Sequence, residues 1–406
     1  MRSIYPSSFL LPQTGTPLTP WACIACDQYT SDPSYWQAVD TLCQGELSTY
    51  HLILPESKLE QGEQVVDGIH STMQAYLPQL QKTPNGYILI ARTTPSGTRL
   101  GLVCVVDLDA YDFNPASALP IRATEETIAE RIAPRVAIRK GAPMELSHVL
   151  LLMDDAQRTV LEPLYAKRNT LKKCYDFPLM MKGGHLTGYL VSDPTDLSTI
   201  DGALETLRTK TGKSNAMIFA VGDGNHSLAA AKACWATLKT TLTPEQAQLH
   251  PARYAMVELE NLYDDALGFE PIHRILFGVD VPHFRQAMQQ AGISPSPNEG
   301  ECTFLTQEGQ WQVTVQTQGN DLPVEEIQRF LDDYVAKNPQ VKLDYIHGDD
   351  ALRQLANNKN TVGFLLPALP KESFFRLIEE KGTLPRKTFS MGHADEKRYY
   401  MECRQL

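Results

Sequence analysis

AMIFAVGDGNHSLAAAKACWATLK, residues 216–239, joins an apolar run to an alanine-rich one through four polar residues. Residues 216–222 have the length and composition of a buried strand. Leu228, Ala231, Trp235 and Leu238 form one helical stripe, with Lys232 and Lys239 off it. Strand, tight turn and helix aim the first helical amides into a crevice, where they and the positive end of the dipole favour an anion. Gly224 lets the backbone approach such a group closely. Asp223 repels a bare phosphate unless it binds a metal ion or takes a proton from a hydroxyl nucleophile. His226, in the first turn, can donate to a phosphoryl oxygen. A plainer account is an Asx-type turn with Asn225 as N-cap and His226 half-exposed.

Working outward, the helix LSTIDGALETLRTKTG leads into this strand, and HVLLLMDD at 148–155 is another strand. HLILP at 51–55, GYILIA at 86–91 and LGLVCVVDLDAY at 100–111 are short apolar runs beside turn residues, the pattern of strands. Val65, Ile69, Met73 and Tyr76 repeat at helical spacing between 56 and 82, which makes the first third β-α-β-β. LMMKGGHLTGYLVS at 179–192 reads as two strand halves joined at Gly183-Gly184. IRATEETIAERIAPRVAIRKGAP at 121–143 reads as helix, with Thr124 as N-cap and Pro134 as a break or restart. Residues 1–45, rich in Pro, Ser and aromatics, read as irregular structure packed on a core. After about residue 270 come a hairpin, TFLTQEGQWQVTVQT, an amphipathic helix, VEEIQRFLDDYVAKN, and a strand-helix pair in TVGFLLPALPKESFFRLIEEKG. GISPSPNEGE near 290–300 is a surface loop and a candidate boundary. The fold class expected is α/β to α+β, mixed sheets with flanking helices, divided as 1–120, 121–290 and 291–406.

At 406 residues the chain exceeds one ordinary core, and roughly two or three domains are expected. Apolar residues make up 42% and charged ones 21%, a soluble balance. Without an 18-residue apolar run or a signal-peptide h-region, a cytoplasmic protein with no membrane partner is expected. With 37 basic against 48 acidic residues the net charge is −11, which argues against nucleic acid and leaves a small-molecule partner. The eight cysteines are expected as reduced thiols.

Arg122, Arg131, Arg135 and Arg139 cluster within one stretch, three of them at i, i+4, i+8, and guanidinium forks suit phosphate or carboxylate. Glu125 beside them suits a base or a metal ligand. The alternative is a solvated face with local pairing, and Pro134 leaves it open whether the three arginines share one helix. His273 and Arg274 in PIHRILFG, and Arg386 and Lys387 in GTLPRKTFSMGH, are further anion candidates with structural roles as the alternative. The Lys182-Gly183-Gly184-His185 turn lacks the P-loop form. Cys23 and Cys26 have the spacing of a redox pair but no preceding strand, and a second such pair for zinc is absent. Asp27, Gln28 and Thr30 make the same segment polar enough to line a pocket.

Together WACIACDQYTSDPSYW, R-x-T-E-x-T at 122–127, LSHVLLLMDD, GDGNHSLAAA, P-I-H-R and GTLPRKTFSMGHADEKRYY resemble a mostly bacterial family, number one thousand and fifteen among the domains of unknown function. Its members often read Asp-Gly-His-His-Arg where this chain has Asp223, Gly224, Asn225, His226 and Ser227, and His-Glu where it has Thr124 and Glu125. That box in turn is similar to the nucleotide-binding box of the ParB/sulfiredoxin-like superfamily, which includes free-serine kinases. The resemblance implies a ParB-like element around the box and a phosphate pocket at Gly224, Asn225, His226 and Ser227. It further implies a phosphotransferase that takes ATP or another nucleotide and acts on a small hydroxylated metabolite such as serine. Asp223 or Glu125 would bind Mg²⁺ or deprotonate the acceptor, and Arg122, Arg131, Arg139 and Lys387 would neutralise charge. The rivals are a non-catalytic ParB-like nucleotide or metabolite regulator and a thiol enzyme built on Cys23 and Cys26.

Overall fold

The computed structural model describes every residue except 1, 31, 211, 213–215, 297–299, 318–320 and 386, and leaves the side chains of 56, 59, 60 and 63 undescribed. Part of the GISPSPNEGE loop and Arg386 therefore lie outside the described residues. The chain forms two units, one of residues 1–268, 375–383 and 392–406, the other of 269–374 and 384–391. The divisions expected at 120 and 290 do not coincide with these limits. Strand pairing explains why: Gly97–Asp107 pairs with Tyr254–Asn261, so one sheet runs across residue 120. Among the described residues, no helix is long and apolar enough to cross a membrane.

The first unit is built on a ten-stranded mixed sheet. Its order is Lys172–Pro178, His185–Val191, Tyr87–Thr94, Gly97–Asp107, Tyr254–Asn261, Leu150–Met153, Phe219–Asp223, Ile121–Arg122 and Tyr111–Asp112, with Ile4–Tyr5 paired to Gly97–Asp107. The central strands are apolar on both sides because both faces are covered. Tyr87, Leu89, Leu102, Cys104 and Val106 pack with Leu228, Ala231 and Trp235 of the helix Asn225–Lys239. Ile88, Ile90, Val103 and Val105 pack with Trp21, Cys23 and Trp36 from the N-terminal segment and Tyr399 and Met401 from the tail. The first 45 residues include an ordered helix, Pro33–Cys43, capped by Asp32.

Several local expectations change. Residues 51–55 are not a strand, because the Ser48 hydroxyl accepts from the Tyr50 amide at 3.1 Å and starts a 3₁₀ turn, Thr49–Leu52. The partner of His185–Val191 is Lys172–Pro178, since residues 179–182 turn through left-handed Met181 and Lys182. The helix expected over 121–143 is confined to Ala129–Arg139 and runs through Pro134 without restarting. Thr124 does not cap it.

In the second unit, a seven-stranded sheet includes Phe269–Phe277, Cys302–Thr306, Gly309–Val315 and Thr361–Leu365. The helices Val281–Gln290 and Pro323–Lys337 supply Phe284, Ile327 and Leu331 to its core. The 302–315 hairpin and the 323–337 helix are where the sequence puts them.

Candidate functional site

The strand Phe219–Asp223 ends at Gly224, which caps the helix Asn225–Lys239 in the left-handed region at φ 82°. A Cβ at Gly224 would stand 3.0 Å from Val149 Cγ2, so the turn is tight against the segment leading into the strand Leu150–Met153. The Gly224 amide donates to Asp223 Oδ1 at 2.7 Å, while the Ser227 and Leu228 amides return to the Gly224 carbonyl. Asp223, Gly224, His226 and Ser227 are half-exposed, so the helix start opens outward. The Asn225 amide has no acceptor among the described residues.

Asn225 is not the cap. Its side chain is buried, accepting from the Thr124 amide at 3.0 Å and donating to Thr124 Oγ1 at 3.1 Å, and Thr124 Oγ1 donates to the Val221 carbonyl at 2.6 Å. His226 Nε2 accepts from the Ile128 amide at 3.2 Å, so that nitrogen carries no proton. These two bridges tie residues 124–128 to the seam, outside the helix, which places Glu125 there and Arg131 in the first turn of the adjoining helix.

The C-terminal tail completes the site with a residue the sequence reading passed over. Lys397 Nζ lies 3.1 Å from Asp223 Oδ2, with 9% of the lysine side chain and 32% of the aspartate exposed. Burial opposes the ammonium, yet the Asp223 and Asp27 carboxylates hold its pKa above the usual lysine value. Arg92 fixes the tail backbone: its guanidinium donates to the carbonyls of Asp395 at 2.6 Å and of Glu396 and Lys397 at 2.8 Å. The short strands Cys23–Ile24 and Tyr399–Tyr400 pair antiparallel, bringing the turn Asp27–Tyr29 to the tail and Gln28 beside Cys26. Lys397 lies within the GHADEKRYY box, where a run of four charged residues next to apolar ones was the available signal. His148, hydrogen-bonded through Nδ1 to the Tyr400 hydroxyl at 2.5 Å, adjoins Val149 at the same seam.

Other candidates have partners of their own. Arg131, Arg135 and Arg139 do share one helix, but Arg139 is about 16 Å along it from Ile128 at 1.5 Å per residue. There it pairs with buried Glu145 and donates to the Tyr254 carbonyl, so it does not clamp a phosphate at the seam. Arg122 Nε donates to the Leu119 carbonyl at 3.2 Å. His273, Arg274 and Lys387 belong to the second unit. There His273 bridges Asp349 and the Leu366 amide, and Arg274 holds Gln328 and the Lys387 carbonyl, which are structural roles. Cys23 and Cys26 are free thiols. Burial drives Cys23 well up and Cys26 to about 12, the reverse of a reactive thiolate.

A magnesium ion on Asp223 does not fit these residues. One carboxylate oxygen is held by the Gly224 amide and the other by Lys397, and among the described residues no three His, Cys, Asp or Glu converge. The Lys397–Asp223 pair and the half-exposed start of the 225–239 helix lie together at this seam.

The sequence profile of a family described as "Protein of unknown function (DUF1015)" matches residues 9–334. Among solved structures, a free serine kinase in complex with AMP is similar at a TM-score of 0.40 and 11% identity, over 75% of this chain and 92% of that one. A conserved hypothetical protein from Pyrococcus furiosus gives 0.38 at 10% identity, over 73% and 93%. SbnI with C-terminal truncation from Staphylococcus aureus gives 0.38 at 9% identity, over 71% and 82%. No curated protein matches the chain.

Proposed function

The chain belongs to this family of proteins of unknown function, and from that premise we propose that it is a nucleotide-dependent phosphotransferase acting on a small hydroxylated metabolite. One observation carries the reading: a buried ammonium, Lys397, is held against Asp223 at the half-exposed start of a 15-residue helix. Asp223 alone would repel phosphate. With Lys397 beside it that carboxylate is offset, and the first turn of the helix lies at the same half-exposed seam. In this reading Lys397 and the helix start hold the phosphates and balance the charge that develops on them. Asp223 or Glu125 takes the acceptor's proton, and His226 Nδ1 orients an oxygen. Arg131 adds charge from the adjoining helix.

A second reading, a protein that binds a nucleotide or metabolite and turns nothing over, is favoured by one feature. Both Asp223 oxygens are already engaged, so acting as a base requires the Lys397 pair to loosen. Calorimetry with ATP, followed by a product assay over a library of hydroxylated metabolites, separates the two. The phosphotransferase reading expects ATP binding by the wild type and at least a tenfold loss, about 1.4 kcal/mol, in Lys397→Met. It expects retained binding with lost turnover in Asp223→Asn. Binding without product from any acceptor selects the second reading, and a wild type that ignores ATP rejects both.

A further inference from the structure

The wall that carries Asp27 and Lys397 also carries an aromatic pair. Tyr29 closes the turn Asp27–Tyr29, and its ring lies flat on Tyr35, 3.6 Å between centroids and 4° between planes. Tyr35 is the inner leaf: it is buried, its hydroxyl donates to the Ile24 carbonyl at 2.5 Å, and Trp36 stands edge-on to it at 5.2 Å. Tyr29 is the outer leaf and is half-exposed. Its backbone is pinned at both ends, with the amide donating to Cys26 at 3.2 Å and the carbonyl accepting from Trp36 Nε1 at 2.8 Å. The turn meets the tail at Cys26, whose Sγ lies 3.8 Å from the Ala394 carbonyl, three residues before Lys397. The turn that carries the ring is therefore joined to the tail segment that carries Lys397.

We propose that Tyr29 is the platform on which the base of a nucleotide stacks, so that the site takes a nucleoside polyphosphate in preference to a bare polyphosphate. This rests on the phosphate locus at Lys397 and the 225–239 helix start. A ring already stacked on its inner side and fixed through its backbone offers a flat apolar face with little ordering left to do. Stacking reads no hydrogen-bond pattern, so such a platform accepts any large planar base.

The test is titration calorimetry of ATP and inorganic tripolyphosphate against the wild type, Tyr29→Phe and Tyr29→Leu. Tighter binding of ATP than of tripolyphosphate is expected in the wild type and in Tyr29→Phe. In Tyr29→Leu, ATP should weaken by about tenfold or more while tripolyphosphate is unchanged. Because Tyr29 is the half-exposed leaf, the folded state should survive both changes, and unaltered tripolyphosphate binding reports that it has. An ATP preference that persists in Tyr29→Leu overturns the platform, and so does equal binding of the two ligands by the wild type, with the phosphate locus left standing in both cases. A wild type that binds neither removes the locus and the platform together.

Discussion

Asn225 illustrates how one side chain changes meaning once its partner is known. In sequence it is a polar residue at a helix start, where an exposed cap is the natural assignment. In the structure its amide reads both polar groups of Thr124, and Thr124 passes the chain of bonds on to the Val221 carbonyl. Asn225→Asp keeps the size of the side chain but removes the donor, setting an oxygen against Thr124 Oγ1, whose own proton is already committed. A loss of about 1–3 kcal/mol is expected in denaturant melts, since a buried acceptor is left facing another. A Thr124→Ala background should remove most of that loss, because the conflict needs both oxygens. If Asn225→Asp costs the same in both backgrounds, the bridge is not what stabilises this turn.

At the scale of elements, the strand-turn-helix seam hangs on Gly224. Alanine there would keep an unfavourable φ of 82° and set its methyl 3.0–3.1 Å from Val149, with the Val149 backbone among the atoms met. Gly224→Ala is expected to cost about 1–3 kcal/mol and to weaken ligand binding, because the helix start must shift. Gly202, inside the helix Pro194–Lys210, has open space around its Cβ position, so Gly202→Ala should instead gain about 0.4–1 kcal/mol. Thermal melts of the two variants moving the same way would contradict this account. The seam itself was legible because strand, glycine and helical stripe are contiguous and each follows from local pattern. The 121–143 segment was not. Its first residues are held out of the helix by bonds to Asn225 and His226, about a hundred residues away. Pro134 is tolerated because Glu130, whose carbonyl lacks the usual donor, lies at the exposed surface.

At the scale of the molecule, the tail from 392 to 406 is tied to the middle of the large sheet by buried charge. Arg398 Nε donates to Glu258 at 2.7 Å and Nη2 to Glu402 at 3.0 Å, and Gly101 has no side chain because Glu258 fills that space. In sequence, Glu258 and Glu260 alternate with apolar residues and look like the wet face of a strand. Glu258 is dry because Arg398, 140 positions later, covers it, and Glu260 lies against Arg99, 161 positions earlier, which no local pattern encodes. Removing the shared cation in Arg398→Met strands two carboxylates and should cost about 3–5 kcal/mol. Glu260 supplies a pH dependence from the same network. Arg99 Nε lies 3.0 Å from Oε1 but off the hydrogen-bond axis, so neither carboxylate oxygen has a donor among the described residues. Burial, reinforced by Glu258 and Asp264 and opposed by Arg99 and Arg92, pushes the Glu260 pKa up to about 8. Between the ordinary glutamate value of about 4.3 and that point, the unfolded chain releases a proton the native state keeps. Stability then falls as pH rises, by at most about 1.4 kcal/mol per unit, and the loss stops above the native pKa. Glu260→Gln lacks this titration. Its melting temperature relative to the wild type should climb from pH 5 to pH 8 and then level off, whereas parallel curves would mean that Glu260 is ionised in the folded protein throughout.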